Sequence, residues 1–289
     1  MLLNDIICFL ILHYNTIEMT HKCVDSIFRL VCPENMSIHI VIVDNASPDK
    51  SGEQLAKEYE HKKGITVLLN ERNSGFSSGN NIGYRYIKGH MSCRYLIVAN
   101  NDICFCQANM IEKIKELDKQ YSYDILGPDI LNSRTGKHQN PLAYNPPTIK
   151  QVSKTIHFNR IALVLYPVLY PLLRQFFRDA GKEKENNQYE KVQEDVCLMG
   201  ACLILSEKFI LNRKLIFEPE TEFYYEEFLI SLWAKKNRKK LLYSPVIQVL
   251  HEEGAATGKE RSEWSRIKFR VKNTYKAAKI YLRELKRME

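Results

Sequence analysis

Four short runs of this 289-residue chain combine residue types that could do chemistry. Asn100-Asn101-Asp102 ends in a carboxylate, a hard oxygen ligand suited to Mg²⁺ or Mn²⁺. Mg²⁺ takes one or two carboxylates and fills its other positions with phosphate and water, so one Asp suffices where the substrate brings phosphates. A plain turn has the same composition. Asn73-Ser74-Gly75-Phe76-Ser77-Ser78-Gly79-Asn80-Asn81-Ile82-Gly83 lets backbone approach a ligand closely, and a helix N-terminus behind it would favour an anion. It is not a P-loop, because no Lys follows, and it is not G-x-G-x-x-G after the first strand. A flexible turn is the simpler alternative. Phe223-Tyr224-Tyr225-Glu226-Glu227-Phe228 sets an acidic pair among aromatics. Desolvation there raises a carboxylate pKa, as a general base requires, but acids in a first helical turn also simply suit the dipole. His251 opens His251-Glu252-Glu253-Gly254-Ala255-Ala256-Thr257 and could ligate a metal or touch phosphate. The run is not H-E-x-x-H, since residue 255 is Ala, and a lone His is more often structural.

The elements that must position these runs follow from periodicity. Ile6 to Leu12, Ile38 to Val43, Ile65 to Leu69 and Tyr95 to Ala99 are continuous apolar runs of strand length. Between them, Thr16 to Leu30, Gly52 to His61, Ser78 to Lys88 and Gln107 to Gln120 read as helices. Ile17, Val24, Ile27, Phe28 and Val31 mark one side of the first, and Met110, Ile111, Ile114 and Leu117 one side of the last. Continuous apolar strands are buried on both faces, and strand–helix alternation implies an α/β fold with a mainly parallel sheet covered by helices. Polar residues cluster where the strands stop: His13-Tyr14-Asn15, Asp44-Asn45, Asn70 to Asn73 and Asn100 to Asp102. Open α/β sheets bind ligands outside the carboxyl ends of their strands, so four segments should converge on one crevice.

The pattern changes near residue 130. Residues 132 to 150, with Pro141, Pro146 and Pro147, read as a long loop. Residues 156 to 178 are apolar with basic ends, but only Ile161 to Leu173 is free of charge, too short to span a bilayer. That segment fits a membrane interface, the cover of an acceptor groove or a buried insertion. Residues 179 to 195 are dense in charge and expected to be exposed. Val196 to Leu205 and Leu241 to Leu250 read as strands, Phe223 to Lys236 as a helix and Ser262 to Arg287 as a long basic helix.

Composition, 45% hydrophobic and 26% charged, is that of an ordinary folded protein and excludes disordered and collagen-like classes. The first dozen residues are apolar but lack the charged start and small-residue cleavage site of a signal peptide, and read as a buried first strand. The 8 cysteines show neither C-x-x-C nor zinc spacing, which suits thiols in a reducing cytosol. The net charge of +8 sits mostly in the tail, where residues 259 to 289 hold 11 basic and 4 acidic side chains. A second basic cluster, Lys235-Lys236-Asn237-Arg238-Lys239-Lys240, lies upstream. Such helices hold nucleic acid or an anionic membrane surface, or are simply solvated.

In this order and at these separations the runs resemble the family 2 inverting glycosyltransferases of GT-A fold, rhamnosyltransferase-like members above all. The matching pieces are His13-Tyr14-Asn15, Val43-Asp44-Asn45-Ala46-Ser47-Pro48-Asp49, Asn73-x-Gly75-Phe76 with Gly79-Asn80-Asn81-x-Gly83, Asn100-Asn101-Asp102, Tyr224-Tyr225-Glu226-Glu227, His251-x-x-Gly254-x-x-Thr257 and Arg270-x-x-Asn273. The resemblance covers residues 5 to 131 and 196 to 275. It implies a catalytic domain over 1–258, with a nucleotide-binding half (1–131), a helical insertion (132–195) and an acceptor half (196–258), followed by the basic helix 259–289. It also implies a nucleotide-diphospho-sugar donor, UDP- or dTDP-linked, and a saccharide or lipid-linked acceptor in surface polysaccharide synthesis. Residues His13, Asn15, Asp44, Asn45, Asn73, Gly75, Asn80, Asn81, Asn100 and Asn101 would bind the donor, with Asp44 on the nucleobase. The family's D-x-D reads Asn100-x-Asp102 here, so Asn100 would meet ribose and Asp102, with His251, would hold Mg²⁺ or Mn²⁺. Glu227 would be the base and Glu226 its support, and the family's frequent Asp two residues on is Leu229 here. The implied location is cytoplasmic, with the apolar segment and basic tail able to rest on the inner face of the cell membrane. A non-catalytic nucleotide-sugar-binding module would keep Asp44 and the glycine loop and need neither Glu227 nor Asp102. A nucleic-acid binder would account for the tail and for nothing in residues 1 to 131.

Overall fold

A computed structural model describes residues 5–180, 189–252 and 262–288. Glu253, Gly254 and Thr257 of the last run lie outside the described residues. In chain order come β1 (Asp5–His13), α1 (Ile17–Phe28), β2 (Met36–Asp44), α2 (Ser51–Tyr59), β3 (Ile65–Leu69), α3 (Gly75–His90), β4 (Cys93–Asn100), β5 (Ile103–Cys104), α4 (Met110–Tyr121) and β6 (Ile125–Asn132). After a loop follow α5 (Ile149–Val164), α6 (Tyr166–Ala180), β7 (Gln193–Glu194), β8 (Cys202–Ser206), α7 (Glu207–Asn212), α8 (Glu226–Lys236), β9 (Leu241–His251) and α9 (Glu263–Lys286).

One nine-stranded sheet runs β3-β2-β1-β4-β8-β6-β9-β5, with β7 also on β9. The first four strands are parallel, β8 is antiparallel to both β4 and β6, and β6 and β9 are parallel. This is the expected helix-covered, mixed and mainly parallel sheet. Alternate residues serve two cores. Ile7, Phe9 and Ile11 of β1 pack on one face, while Cys8 and Leu10 pack on the other beside Val41, Val43 and Tyr84. Each such aliphatic side chain stabilises the fold by about 1.5–3 kcal/mol, which is why these strands carry no alternation of polar residues.

Several boundaries differ from the sequence reading. β6 goes unrecognised in sequence because Gly127-Pro128-Asp129 interrupts its apolar run. The pairing of β6 with β9 shifts register at that point, where a sheet tolerates Pro. The strand expected from Val196 begins at Cys202, since Gly200 and Ala201 form a turn. The helix expected from Phe223 begins at Glu226, because Tyr224 and Tyr225 are left-handed at φ 71° and 67°. The helix expected from Ser78 begins at Gly75. Phe28 and Val31 of the first helical pattern are exposed rather than in the core, and the Lys62 ammonium lies 4.5 Å from the Phe28 ring.

The insertion is two helices. Ala162, Tyr166 and Leu173 pack against Ile267 and Val271 of α9. A second apolar contact, of Val152 with Tyr225, Leu229 and Tyr281, ties α5 and α9 to α8. No helix among the described residues is long and apolar enough to cross a membrane. All 8 cysteines are free thiols.

Candidate active site

Three parallel strands end side by side. His13 of β1 pairs with Asp44 of β2, and Leu12 pairs with Asn100 of β4, so these termini sit within roughly 10 Å of one another, two strand spacings. Asp44 is 5% exposed and is fixed by Ser47, whose hydroxyl donates to Oδ1 at 2.5 Å and whose amide donates at 3.2 Å. A Cβ on Gly52 would lie 2.1 Å from the Asp44 carboxyl carbon, so only glycine lets α2 start against that carboxylate. His13 is fully buried, bonded through Nδ1 to Thr20 (2.7 Å) and through Nε2 to Ser51 (2.8 Å). Burial pulls its imidazole below the ordinary value, against the pull of Asp44 and Asp49. Asn101 donates to Thr16 and Thr20, and the Asn15 amide donates to Ser47. His13, Asn15 and Asn101 therefore brace the crevice floor from within.

The glycine loop is committed largely to protein. The Asn45 amide nitrogen donates to Asn73 Oδ1 and the Gly75 carbonyl, and its oxygen accepts from Asn70 and Ser74. The Gly75 amide donates to Asn73 and the Phe76 amide to the Glu222 carbonyl. Gly75 has φ 82°, and a Cβ there would meet the Glu222 carbonyl at 2.7 Å. Asn81 is fully buried, accepts from the Ile216 and Phe217 amides, and donates to the Phe217 carbonyl and Glu220. Asn80 donates to the Phe76 carbonyl, and its buried oxygen has no hydrogen bond. The loop also acts as a clamp that holds residues 216–222 against α3.

That clamp delivers the acidic pair. Ser77 bonds Thr221, and Thr221 donates to Glu226 Oε2 at 3.2 Å. Burial first, then neighbouring Glu227, pushes the Glu226 carboxyl up to about 8. Glu227 is also raised, by burial first, against hydrogen bonds from its own amide and that of Gly200. The residue as a whole is partly exposed. A Cβ on Gly200 would stand 3.0 Å from Glu227 Oε1. The next residue, Ala201, accepts the Asn100 amide through its carbonyl at 3.0 Å. Glu227 is in this way joined through two peptide units to the strand end that carries Asp102.

Asp102 and His251 meet beside that strand end, where β5 pairs Ile103 with His251. His251 Nε2 lies 3.2 Å from Asp102 Oδ1, and His251 Nδ1 donates to the Gln139 side-chain oxygen Oε1 at 2.8 Å. A neutral imidazole so fixed presents a lone pair at Nε2, and Asp102 Oδ1 is buried with no hydrogen bond. With the ring neutral, Nε2 and Oδ1 both accept and a divalent cation would bridge them; with the ring protonated, they form an ion pair. One carboxylate oxygen and one imidazole nitrogen suit Mn²⁺ or Mg²⁺ when phosphate oxygens complete the sphere. The residues present fit such an ion, although no group of three His, Cys, Asp or Glu converges among the described residues.

Sequence reasoning missed Gly52, Gln139, Gly200 and Thr221. A lone Gln, Thr or Gly has no periodic or motif signal, and only the folded contacts give these roles.

Among solved structures, GalNAc-T7 with UDP, GalNAc and Mn²⁺ has a TM-score of 0.59 at 17% identity, covering 86% of this chain and 44% of that one. S. aureus TarS 1-349 in complex with UDP-GlcNAc has a TM-score of 0.53 at 12% identity, covering 96% and 71%. These likenesses concern the fold, which is of the GT-A type. Uncharacterized glycosyltransferase EpsJ of Bacillus subtilis is 27% identical over 114 residues, 39% of this chain and 30% of its own length. Glycosyltransferase GlyA of Streptococcus pneumoniae is 28% identical over 125 residues, 43% of this chain and 17% of its own. The matched stretch thus spans less than a third of either relative. With residues 8–196 matching its description, the chain belongs to Glycosyl transferase family 2.

Proposed function

We propose that the protein is a metal-dependent inverting glycosyltransferase. It takes a hexosyl or deoxyhexosyl unit from a UDP- or dTDP-sugar and passes it to a hydroxyl of a saccharide or lipid-linked acceptor, as surface polysaccharide synthesis requires. The observation that supports this best is the link from Glu227 through Gly200 and Ala201 to Asn100, two residues before Asp102. In this reading the raised carboxyl of Glu227, from late in the chain, shares its crevice with the Asp102–His251 pair.

In this reading Asp44 takes the nucleobase and Asn100 the ribose. Asp102 and His251 hold Mg²⁺ or Mn²⁺, which when bound supplies charge stabilisation to the diphosphate as it leaves. Glu227 accepts the proton of the acceptor hydroxyl while that oxygen attacks the anomeric carbon from the face opposite the nucleotide, which inverts the configuration. Glu226 stays protonated near neutral pH, so that a single negative charge is shared by the acidic pair.

A thermal-shift screen against UDP-, GDP- and dTDP-sugars, with and without Mn²⁺, tests the donor. Binding to the native state at a hundredfold excess over Kd stabilises by about 2.7 kcal/mol. A Mn²⁺-dependent rise with one nucleotide class supports the reading, and transfer or donor hydrolysis then separates an enzyme from a binding module. No rise with any donor contradicts it.

A further inference from the structure

The helices α5 and α6 present an apolar face that the catalytic reading leaves unused. Phe158, Ile161, Leu165, Val168, Leu172 and Phe176 follow helical spacing and are all exposed, Val168 by 75% and Leu172 by 69%. The two helices bend back at Leu165, which places the Phe158 and Phe176 rings 5.9 Å apart, so the stripes of both helices form one patch. An exposed patch of this kind marks an interaction surface.

Charge specifies the partner. From Ile149 to Arg178 the chain has 5 Lys and Arg and no acidic residue. Exposed Lys150 and Lys154 continue the Phe158 stripe at four-residue steps. Helix α9, packed behind the hairpin, adds 8 basic against 2 acidic side chains. At the edge of the hairpin Trp264 is 36% exposed and stands against Tyr166 (4.7 Å) and Tyr170 (4.5 Å), an aromatic cluster suited to the water–lipid boundary. Apolar residues on one face, cations beside them and aromatics at the rim match an interfacial element that lies in a leaflet rather than spans it.

We propose that the α5–α6 hairpin docks this protein on an anionic bilayer, its apolar stripe entering the headgroup–acyl boundary. The proposal deepens the transferase reading on the acceptor side while standing on surface observations of its own. Tyr225, next to the acidic pair, packs on Val152 of α5 and on Tyr281 of α9, so a docked hairpin would hold the helix that starts at Glu226 at a fixed height above the lipid.

The test uses the full chain and sedimentation with phosphatidylcholine vesicles, with and without phosphatidylglycerol, at low and high salt. Binding at least about tenfold stronger to the anionic vesicles is expected, weakened by salt. A Val168→Ser/Leu172→Ser/Phe176→Ser variant should lose at least about tenfold of that binding. Its circular dichroism and melting temperature should stay those of the parent. In the parent, brominated lipid should quench Trp264, with Trp264→Phe as control. Absence of sedimentation, a variant that binds like the parent, or an unquenched Trp264 overturns the proposal. So does a parent oligomer that the variant disperses while neither binds lipid, because the patch then covers a second copy. Donor-induced thermal shifts, equal in parent and variant, keep this outcome separate from that of the transferase reading.

Discussion

His251 Nε2 stands 3.2 Å from Asp102 Oδ1 while Gln139 occupies the other ring nitrogen. Asp102 Oδ1 is buried and has no hydrogen bond among the described residues. In the proposed reading a divalent cation takes that oxygen, and Gln139, by accepting the Nδ1 proton, leaves Nε2 to join it.

Chelation with EDTA should abolish transfer, and Mn²⁺ or Mg²⁺ should restore it. Asp102→Ala should lose the metal-dependent part of donor binding altogether. Gln139 would meet His251 and not the ion itself, yet Gln139→Ala should weaken Mn²⁺ affinity by about 10–100-fold with little change in folding. A transfer assay reads the first, and titration of Mn²⁺ followed by donor-induced thermal shift reads the two variants. Equal Mn²⁺ affinity in parent and Gln139→Ala would remove Gln139 from the account.

Glu227→Gln should cut transfer by about 10²–10⁴-fold, the usual worth of general base catalysis, and leave donor binding intact. Single-turnover rates beside equilibrium donor binding separate the two. Full activity would move the base to Glu226 or elsewhere.

The acidic pair gives stability a pH dependence of definite sign. Folded Glu226 keeps its proton to about 8, whereas the unfolded side chain releases it near its ordinary 4.5. Between these values the folded chain binds more protons, so its stability falls as pH rises and the loss persists above the upper value. Glu226→Gln should flatten that slope and gain stability on the alkaline side, on the order of a few kcal/mol. Glu227 leaves a residual slope of the same sign. Urea denaturation across this range checks it, and an unchanged slope would mean that Glu226 is ionised in the fold.

Asn81 tests the clamp. Asn81→Ala leaves the Ile216 and Phe217 amides buried without their acceptor, at a cost of about 1–3 kcal/mol for each group. The variant should also lose activity, because residues 216–222 lead directly into Glu226. A urea midpoint equal to the parent's would show that Asn81 holds nothing.

Much of this was legible from the chain. Runs such as Ile6 to Leu12 and Tyr95 to Ala99 announce doubly buried strands, because both faces of the sheet demand apolar side chains. The polar strand ends at Asp44 and Asn100 lie at the same end of the sheet, on either side of β1. Illegible were contacts between residues distant in sequence. Asn45 and Asn81 have the composition of ligand-binding loop residues, and only the folded partners show that they stitch loops together. β6 escaped notice because its Pro128 is accommodated by a register shift that depends on β9. The apolar segment from 156 to 178 was ambiguous because periodicity shows that one face is apolar and not whether anything covers it.

The central claim is that the early half of the chain holds a cation-bound diphosphate facing an acid from the late half. The most direct measurement is anomalous diffraction from crystals grown with Mn²⁺ and whichever nucleoside diphosphate stabilises the protein most. The account predicts one Mn²⁺ bonded to Asp102 and His251 Nε2, a base against Asp44, and the β-phosphate turned toward the Glu227 side of the crevice. Manganese bound away from Asp102, or a nucleotide that leaves Glu227 on the opposite face of the sheet, would contradict it.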